Sequence, residues 1–389
     1  MLRMIHSSWM VAFAALAVSA CTDTPSRVVH PSSPNRDAVK FWEVTATTRW
    51  NERANVLLTL RQPANGQAAA SRILTYLSIA QYRAVLAAEA GKNGRTHPSV
   101  SAAVGGASAA VLSSFFPLDV STIESQLDGD LASPGWPGAK HEDAGAGEAI
   151  GRAVGSSVLA QAATDNYLVV PVGVPPVGPG FWVWNGQPIV RSLHGVRPFF
   201  LTSPSQIRPA APPAFGSPAF NAALAEVRAI SDTRTAEQLA IAQFWAAGFT
   251  VSANNRIANE LIRQHHRTER QAAHLLAYAN AATFDAQIAC WEAKLIYWFI
   301  RPSQADNKIT VPIPLPNHPS YPSGHSCVTG SFMTMLIEAF PSERDRLEAI
   351  ILEAGQSRKY GGIHYQFDIE AGQEIGRRAA ALALAGRLE

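Results

Sequence analysis

Three short blocks near the C-terminal end of the chain contain residue types that could perform chemistry on an anion. They are Lys294 followed by Arg301-Pro302, then Pro322-Ser323-Gly324-His325, and then Ser357-Arg358 followed by His364 and Asp368. Each block alone is typical of a solvated helix face, a turn or a surface pair. Together they combine three cations, a helix start, two histidines and a carboxylate, which is a set suited to binding and converting an oxyanion.

The cations and the helix start predict a pocket for a tetrahedral oxyanion. Lys294 and Arg301 are two helical turns apart, so we expect both side chains on one face of a helix that the following proline ends. Ser323 and Gly324 precede an apolar helix, whose first turn offers a hydroxyl, free N–H groups and the positive end of its dipole. Arg358 adds a planar guanidinium that can bind two oxygens at once.

The two histidines supply chemistry that a lysine could not supply near neutral pH. An imidazole can donate or accept a proton in this range, and its free nitrogen can act as a nucleophile or as a ligand. We therefore expect one of His325 and His364 to be a proton donor and the other to be a nucleophile or ligand. Asp368 lies four residues after His364, one helical turn away, and is expected to fix its tautomer.

These three blocks resemble the three-part signature of the type 2 phosphatidic acid phosphatase and vanadium-dependent haloperoxidase superfamily. All three are complete and in the right order, with six residues between Lys294 and Arg301, five between Arg358 and His364, and three between His364 and Asp368. Membrane phosphatases of the superfamily carry these motifs between transmembrane helices, whereas this chain resembles a soluble branch of bacterial lipoproteins. The resemblance implies a helical bundle of the acid phosphatase and vanadium-dependent haloperoxidase type.

The resemblance also implies a role for each residue of the signature. The residues that would bind the oxygens of phosphate or vanadate are Lys294, Arg301, Ser323, Gly324 and Arg358. In an acid phosphatase without a cofactor, His364 would attack the phosphorus of a phosphate ester, His325 would protonate the leaving alkoxide, and Asp368 would orient His364. In a haloperoxidase, His364 would be the ligand of vanadate, and His325 would help to bind peroxide and move protons while halide is oxidised. Because vanadate mimics phosphate in charge and shape, the signature fits both.

Three features near the signature favour the haloperoxidase branch. His318 resembles an additional active-site histidine of algal bromoperoxidases, and Trp291 resembles a tryptophan near the vanadate of fungal chloroperoxidases. The run from Gly362 to Asp368 is more similar to the haloperoxidase form than to the membrane phosphatase form. The alternative is that His318 is a loop histidine and Trp291 a core aromatic residue.

The elements that must position these residues have a helical period. Apolar residues recur every three or four positions over most of the chain after residue 38, and no alternating stretch is long enough to start a sheet, so we predict an all-α bundle. The predicted helices before the second block are 38–61, 68–90, 97–114, 121–132, 142–164, 217–230, 235–247, 255–265 and 269–300. Tyr167 to Pro213 is rich in proline and glycine and is predicted to be a long loop, with at most a hairpin at 181–189. The predicted parts are a signal peptide (1–20), a tether (21–37), an N-terminal helical region with the Pro-rich loop (38–215), and a C-terminal helical region carrying the signature (216–389).

The amino terminus predicts export. An apolar run of about a dozen residues ends at Ala20, which is too short for a membrane-spanning helix and typical of a signal peptide. The sequence from Val18 to Cys21 resembles a bacterial lipobox, in which Cys21 would be acylated and hold the chain to a membrane. We therefore expect a lipid-anchored protein of the cell envelope that faces the periplasm, although an ordinary cleaved signal is the alternative.

Composition excludes some classes of protein and leaves others open. The 389 residues carry 32 Lys plus Arg and 30 Asp plus Glu, so the basic excess of a nucleic-acid-binding protein is absent. Of the three cysteines, Cys290 and Cys327 could pair in the periplasm or remain buried thiols. The partners predicted are small molecules, namely peroxide and halide or a phosphate ester, with the oligomeric state left open. A non-catalytic anion-binding lipoprotein or a structural envelope lipoprotein is the remaining alternative.

Overall fold

The computed structural model describes residues 45–388, apart from 65, 92–96, 133–141, 168–173, 187–192 and 194. Thirteen helices lie in this part of the chain: α1 Ala46–Arg61, α2 Gly66–Ala90, α3 Val100–Phe115, α4 Val120–Ala132, α5 Ala144–Ala162, α6 Pro218–Thr233, α7 Ala236–Ala246, α8 Thr250–Gln264, α9 Glu269–Tyr297, α10 Pro302–Ala305, α11 Gly324–Ala339, α12 Arg344–Tyr360 and α13 Gln366–Ala385. The predicted all-α fold is confirmed.

The longest helix, α9, is the axis of the bundle. It has 29 residues and is buried on almost every side from Ala272 to Lys294, as expected of a helix whose small and apolar residues do not form a single stripe. Helix α2 packs along one side of α9, and α11 and α13 pack along another. The first core cluster surrounds Trp50 and Leu74, and the second surrounds Leu276 and Phe332. Side chains of α9 contribute to both clusters.

Helices α3 and α5 pack unusually closely. Gly147, Gly151 and Gly155 are spaced four residues apart, so they lie along one stripe of α5. A Cβ atom on Gly151 would lie only 2.0 Å from the backbone oxygen of Ala103 in α3. Glycine is therefore required for the backbones of these helices to meet at this distance.

The ends of several helices differ from the prediction. The periodicity predicts helices beginning at His97 and Glu142, but the structure has two-residue parallel strands there, β1 (His97–Pro98) and β2 (Glu142–Asp143). The helices begin later because Ser99 and Asp143 are N-caps, with side chains that accept hydrogen bonds from the first turns of α3 and α5.

The C-terminal end of α9 also differs from the prediction, and this difference affects the site. The sequence predicts that the helix continues to Ile300 and that Lys294 and Arg301 share one face of it, and both predictions are wrong. The helix ends at Tyr297, where Trp298 adopts a left-handed conformation with φ 49°. Arg301 is extended, because the ring of Pro302 disfavours a helical conformation at the preceding residue. Arg301 therefore reaches the site from a different segment from Lys294.

The Pro-rich segment is tied to α9 at two places. The predicted hairpin at 181–189 falls partly outside the described residues, and in the described part Phe181 instead forms a bridge with Phe299. The next residue, Trp182, is buried, and its backbone N–H donates to the oxygen of Trp298 at 2.6 Å. Beyond the undescribed part of the segment, a carboxylate of α9, that of Asp285, accepts hydrogen bonds from three successive backbone N–H groups, at residues 199, 200 and 201.

The predicted signal peptide and the whole predicted tether, with Cys21, lie outside the described residues, and so does the start of the first predicted helix. The proposed boundary between residues 215 and 216 stays a prediction. Within the described residues, no helix combines the length and the apolar character that crossing a membrane would require.

We predict that Asp285→Ala destabilises the fold by about 3 kcal/mol, because it leaves three buried backbone donors without an acceptor. The measurement is urea unfolding at pH 6, below the pKa of about 7 to which burial raises this carboxyl group, because ionisation above that pKa is unfavourable in the folded state and would offset part of the loss. Asp232→Ala, which removes an exposed carboxylate paired with Arg228, is the control and should change little. Equal effects of the two substitutions would contradict the anchoring role.

Candidate active site

Both histidines of the predicted signature, His325 and His364, line one small cavity together with His318. Its volume is about 80 Å³, which suits a small ion or molecule and is well below the ~300–1,000 Å³ of sites for larger ligands. The cavity lies where α9, the first turns of α8 and α11 and the loop before α13 meet. The residues that line it are Gln67, Thr250, Gln287, Trp291, Pro316, His318, Gly324, His325, Ile363 and His364.

His364 and Asp368 form the predicted pair. His364 Nδ1 lies 2.8 Å from Asp368 Oδ2, which also accepts a hydrogen bond from the hydroxyl of Ser320 at 2.5 Å. Since a carboxylate can only accept, Nδ1 carries the hydrogen and Nε2 keeps its lone pair. Burial, together with the neighbouring Arg301 and Lys294, lowers the pKa of His364 well below its usual value. The imidazole is therefore neutral and can use Nε2 as a ligand or nucleophile.

Lys294 lies behind the cavity wall. Its ammonium group is completely buried and donates to the backbone oxygens of Pro319, at 2.9 Å, Ser320, at 2.7 Å, and Pro322. All three of its hydrogens are thus directed to the loop that precedes α11. Burial lowers the pKa of Lys294 to about 8.

Arg301 is also buried, and it connects this loop to the loop before α13. Its guanidinium donates to the oxygens of His318, at 3.0 Å, and Ile363, at 2.8 Å. Its Nη2 lies 3.1 Å from His318 Nδ1, which must accept because arginine can only donate. Burial lowers the pKa of His318 well below its usual value, with Lys294 and Arg301 adding to the effect, so this imidazole is neutral as well.

Arg358 and His325 are both held by the end of α7. Arg358 donates to the oxygen of Ala242 at 3.0 Å and to the hydroxyl of Ser357 at 2.9 Å. His325 Nε2 lies 2.9 Å from the oxygen of Trp245, so Nε2 carries the hydrogen. Burial, and next the charge of Arg358, lowers the pKa of His325 to about 3. This histidine is therefore neutral in the anion-free site.

Ser323 and Gly324 form the start of α11, as predicted. The Ser323 side chain is the N-cap and accepts from the backbone N–H of Ser326. The N–H groups of the first two helical residues, Gly324 and His325, have no partner inside the helix and stay available at the cavity. A Cβ atom on Gly324 would lie 3.3 Å from the ring of Trp291, so glycine allows this ring to pack on the helix start.

The buried groups around the cavity do not balance in charge. The cations are Lys294, Arg301 and Arg358 and the carboxylate is Asp368, so the formal charge is three minus one, or +2. Each cation lowers the pKa of at least one of the cavity histidines, which shows that its field reaches the cavity. Buried charge without a counterion is unfavourable, so the site is electrostatically prepared for a small dianion.

Most of the cavity residues lie within a segment that is similar to a known family, and Gln67 and Thr250 lie outside it. The family model of the PAP2 superfamily matches residues 272–388, which include all three blocks of the signature. This C-terminal part of the chain is therefore similar to the PAP2 superfamily. No curated protein matches the chain.

Solved structures of vanadium enzymes have a fold similar to that of this protein. A bacterial vanadium-dependent iodoperoxidase superposes with a TM-score of 0.73 at 24% identity, over 87% of this chain and 95% of that chain. A bacterial vanadium-dependent chloroperoxidase superposes in its holo form with a TM-score of 0.68 at 16% identity, over 86% and 94% of the two chains. Its apo form gives a TM-score of 0.67 at 16% identity, over 84% and 96%. At this identity the similarity establishes the fold.

The structure divides the predicted residues into two groups. Those that line the cavity are Trp291, His318, Gly324, His325 and His364. The second group is buried but does not line the cavity, and it interacts with the lining residues through hydrogen bonds or electrostatically. It consists of Lys294, Arg301, Ser323, Arg358 and Asp368. The two cysteines left open by the sequence, Cys290 and Cys327, are free buried thiols next to this second group.

Sequence reasoning missed three polar residues of the cavity wall, Gln67, Thr250 and Gln287. Gln287 could have been found, because it lies four residues before Trp291 and seven before Lys294, a spacing that shares one helix face. No such signal existed for Gln67 and Thr250, which reach the cavity from distant helix starts.

We predict that anion binding weakens as the pH rises above 8. Burial lowers the pKa of Lys294 to about 8, and an anion binds better to the charged form, so sulfate affinity should fall by up to about tenfold per pH unit above that value. Sulfate keeps a constant charge in this range, and calorimetric titration from pH 6 to 10 makes the measurement. Lys294→Met should bind sulfate weakly and lose the fall that begins near pH 8; because burial also lowers the pKa of Arg358, to about 9, any remaining fall should begin at higher pH.

Two control variants define the source of the effect. Lys359→Met removes another buried lysine, which is paired with Glu226 and belongs to no part of the cavity, and should retain the wild-type profile. Cys290→Ser tests the neighbouring thiol. A wild-type pH profile in Lys294→Met would exclude Lys294 as the titrating group.

Proposed function

We propose that the protein is a vanadium-dependent haloperoxidase, which uses hydrogen peroxide to oxidise a halide. The observation that carries the proposal is the position of His364 Nε2 at a cavity of about 80 Å³ whose surroundings hold two uncompensated positive charges. The size of this cavity favours small inorganic substrates. The similarity in fold to bacterial vanadium-dependent iodoperoxidase and chloroperoxidase structures supports the same assignment.

The residues present fit vanadate. This ion needs one neutral nitrogen ligand, and the bond between His364 Nδ1 and Asp368 keeps Nε2 unprotonated. Its oxygens need donors and positive charge, which the start of α11 and the three buried cations supply. When bound, vanadate would supply the Lewis acidity that activates peroxide for attack by halide.

The surrounding side chains would position the reactants and move protons. Asp368 keeps His364 in one tautomer and one orientation, and the hydroxyl of Ser320 in turn orients Asp368. His325 is neutral in the anion-free site, and an anion nearby would raise its pKa, so it can take a proton from peroxide and release it later. His318 packs against Trp291 in a tilted arrangement, with ring centroids 5.1 Å apart and an interplanar angle of 53°, and completes the wall.

The second candidate is an acid phosphatase. The same arrangement favours it, since His364 Nε2 could attack a phosphorus atom held by the same cations, and His325 could protonate the leaving oxygen. A non-catalytic anion-binding protein is the third candidate. Burying the His364–Asp368 pair costs free energy, and binding alone requires no oriented nucleophile, so the presence of this pair argues against a purely binding role.

We predict vanadate-dependent oxidation of iodide or bromide by peroxide in the protein from residue 22 onward, and loss of this activity in His364→Ala. The assay follows halogenation of a phenol dye with and without orthovanadate, beside hydrolysis of p-nitrophenyl phosphate. His266→Asn, which changes an exposed histidine, is the control and should retain full turnover. Hydrolysis that vanadate inhibits, without halogenation, would establish the phosphatase instead, and inactivity in both assays would favour the anion-binding protein.

We also propose that the chain is exported and lipid-anchored at Cys21, on the periplasmic side of the envelope. The support is the sequence from Val18 to Cys21 behind a short apolar run. Cells that express the protein should incorporate labelled palmitate into it, and Cys21→Ser should abolish the label. Equal labelling of the variant would contradict acylation at this residue.

A further inference from the structure

One side of the cavity carries polar groups for which the signature provides no role. Gln287 is fully buried on α9, and within the described residues neither its amide nitrogen nor its amide oxygen has a hydrogen-bond partner. Leaving buried donors and acceptors unpaired is costly, and such groups are rare in native proteins. Gln287 lines the cavity, so a molecule in the cavity is the partner it lacks.

Gln67 presents a second amide donor to the same space. Its Oε1 accepts a hydrogen bond from the backbone N–H of Thr250 at 3.0 Å, which fixes the orientation of the amide. The Nε2 group therefore points elsewhere, and within the described residues it is buried without a partner. Two unpaired amide N–H₂ groups thus border one cavity, together with one unpaired amide oxygen, that of Gln287.

The chemistry of these groups differs from that of the signature residues. The start of α11 and the field of the cations favour an anion, whereas an amide carries no net charge and offers a donor and an acceptor side by side. A molecule with an O–H group, which donates and accepts, satisfies both. A halide ion only accepts, so it would leave the Gln287 oxygen unpaired and facing a negative charge.

We propose that Gln287, assisted by Gln67, binds the neutral hydrogen peroxide molecule beside the oxyanion. The Gln287 amide nitrogen donates to one peroxide oxygen, and its amide oxygen accepts a peroxide O–H. This inference rests on the proposed haloperoxidase function and assigns one of its two substrates to a place in the cavity. Gln287 is then a substrate-binding residue that discriminates peroxide from halide.

The test uses Gln287→Met, which keeps the length of the side chain and its helix propensity but removes both polar atoms. Gln67 is a less suitable target, because its oxygen also holds the start of α8. The matched control is Thr283→Val. Thr283 lies one turn earlier on α9 and is also buried with an unpartnered side-chain oxygen in the described structure, but it does not line the cavity.

Three measurements are made on the full protein: thermal unfolding without vanadate, orthovanadate affinity, and calorimetric titration of the vanadate-loaded protein with peroxide in the absence of halide. We expect Gln287→Met to raise the unfolding midpoint by about 2 °C, because an unpaired buried amide is removed. Orthovanadate affinity should stay within about twofold, and peroxide affinity should fall about tenfold, as expected for lost hydrogen bonds. Thr283→Val should bind peroxide like the wild type.

Steady-state kinetics then separate the two substrates. In Gln287→Met, the KM for peroxide should rise about tenfold while the KM for halide stays unchanged. A lower unfolding midpoint would overturn the inference in favour of a structural role, and so would a rise in the KM for halide alone or a tenfold loss of orthovanadate affinity. If the wild type binds peroxide, Gln287→Met does not, and neither oxidises halide, the proposed function fails while the assignment of Gln287 stands. If the wild type binds no peroxide, the assignment fails.

Discussion

The burial of the Lys294 ammonium group is the constraint on which the site depends. A charged group inside a bundle must have its hydrogen bonds satisfied, and here three backbone oxygens of the loop before α11 accept them. This requirement fixes the loop against α9, and the loop in turn fixes the start of α11, where Gly324 and His325 face the cavity. Arg301 fixes the backbone in the same way, because its guanidinium donates to the backbone oxygens of His318 and of Ile363, the residue before His364. The two cations therefore shape the backbone as well as the potential.

This arrangement explains why the cavity histidines are neutral. Desolvation and three nearby cations both disfavour an imidazolium, so the anion-free site keeps unprotonated nitrogens available. A dianion bound in the cavity would cancel this net charge of +2 and raise the pKa of the same histidines. Binding of an anion and the capacity to hold a proton would thus be coupled by charge.

The sequence predicted those features that depend on local patterns. Helical periodicity located most helices within a few residues. The four-residue spacing of His364 and Asp368 predicted their contact, although His364 lies just before α13 and not on it. The end of α9 was not predictable from periodicity, since Tyr297 and Trp298 continue the apolar pattern while Pro302 acts through its neighbour Arg301. The anchoring of the Pro-rich segment by Asp285 joins residues 84 to 86 positions apart. No short-range pattern carries such information, and the same is true of Gln67 and Thr250.

The division of the site into two groups bears on how one signature serves different reactions. The cations direct most of their hydrogen bonds to backbone oxygens, and Asp368 accepts from Ser320, His364 and the backbone N–H of Tyr365, so these residues build the pocket and cannot vary without disturbing it. The cavity wall is different, because Gln67, Gln287, Trp291 and His318 contribute to it through side chains that the signature does not specify. A substitution at one of these positions would alter which ligands fit the cavity, while the three cations and Asp368 would stay in place. Differences in selectivity among proteins with this signature can therefore be carried by the wall residues. In this protein the amide of Gln287 has no hydrogen-bond partner within the described residues, so it is the wall group with the strongest physical requirement for a ligand.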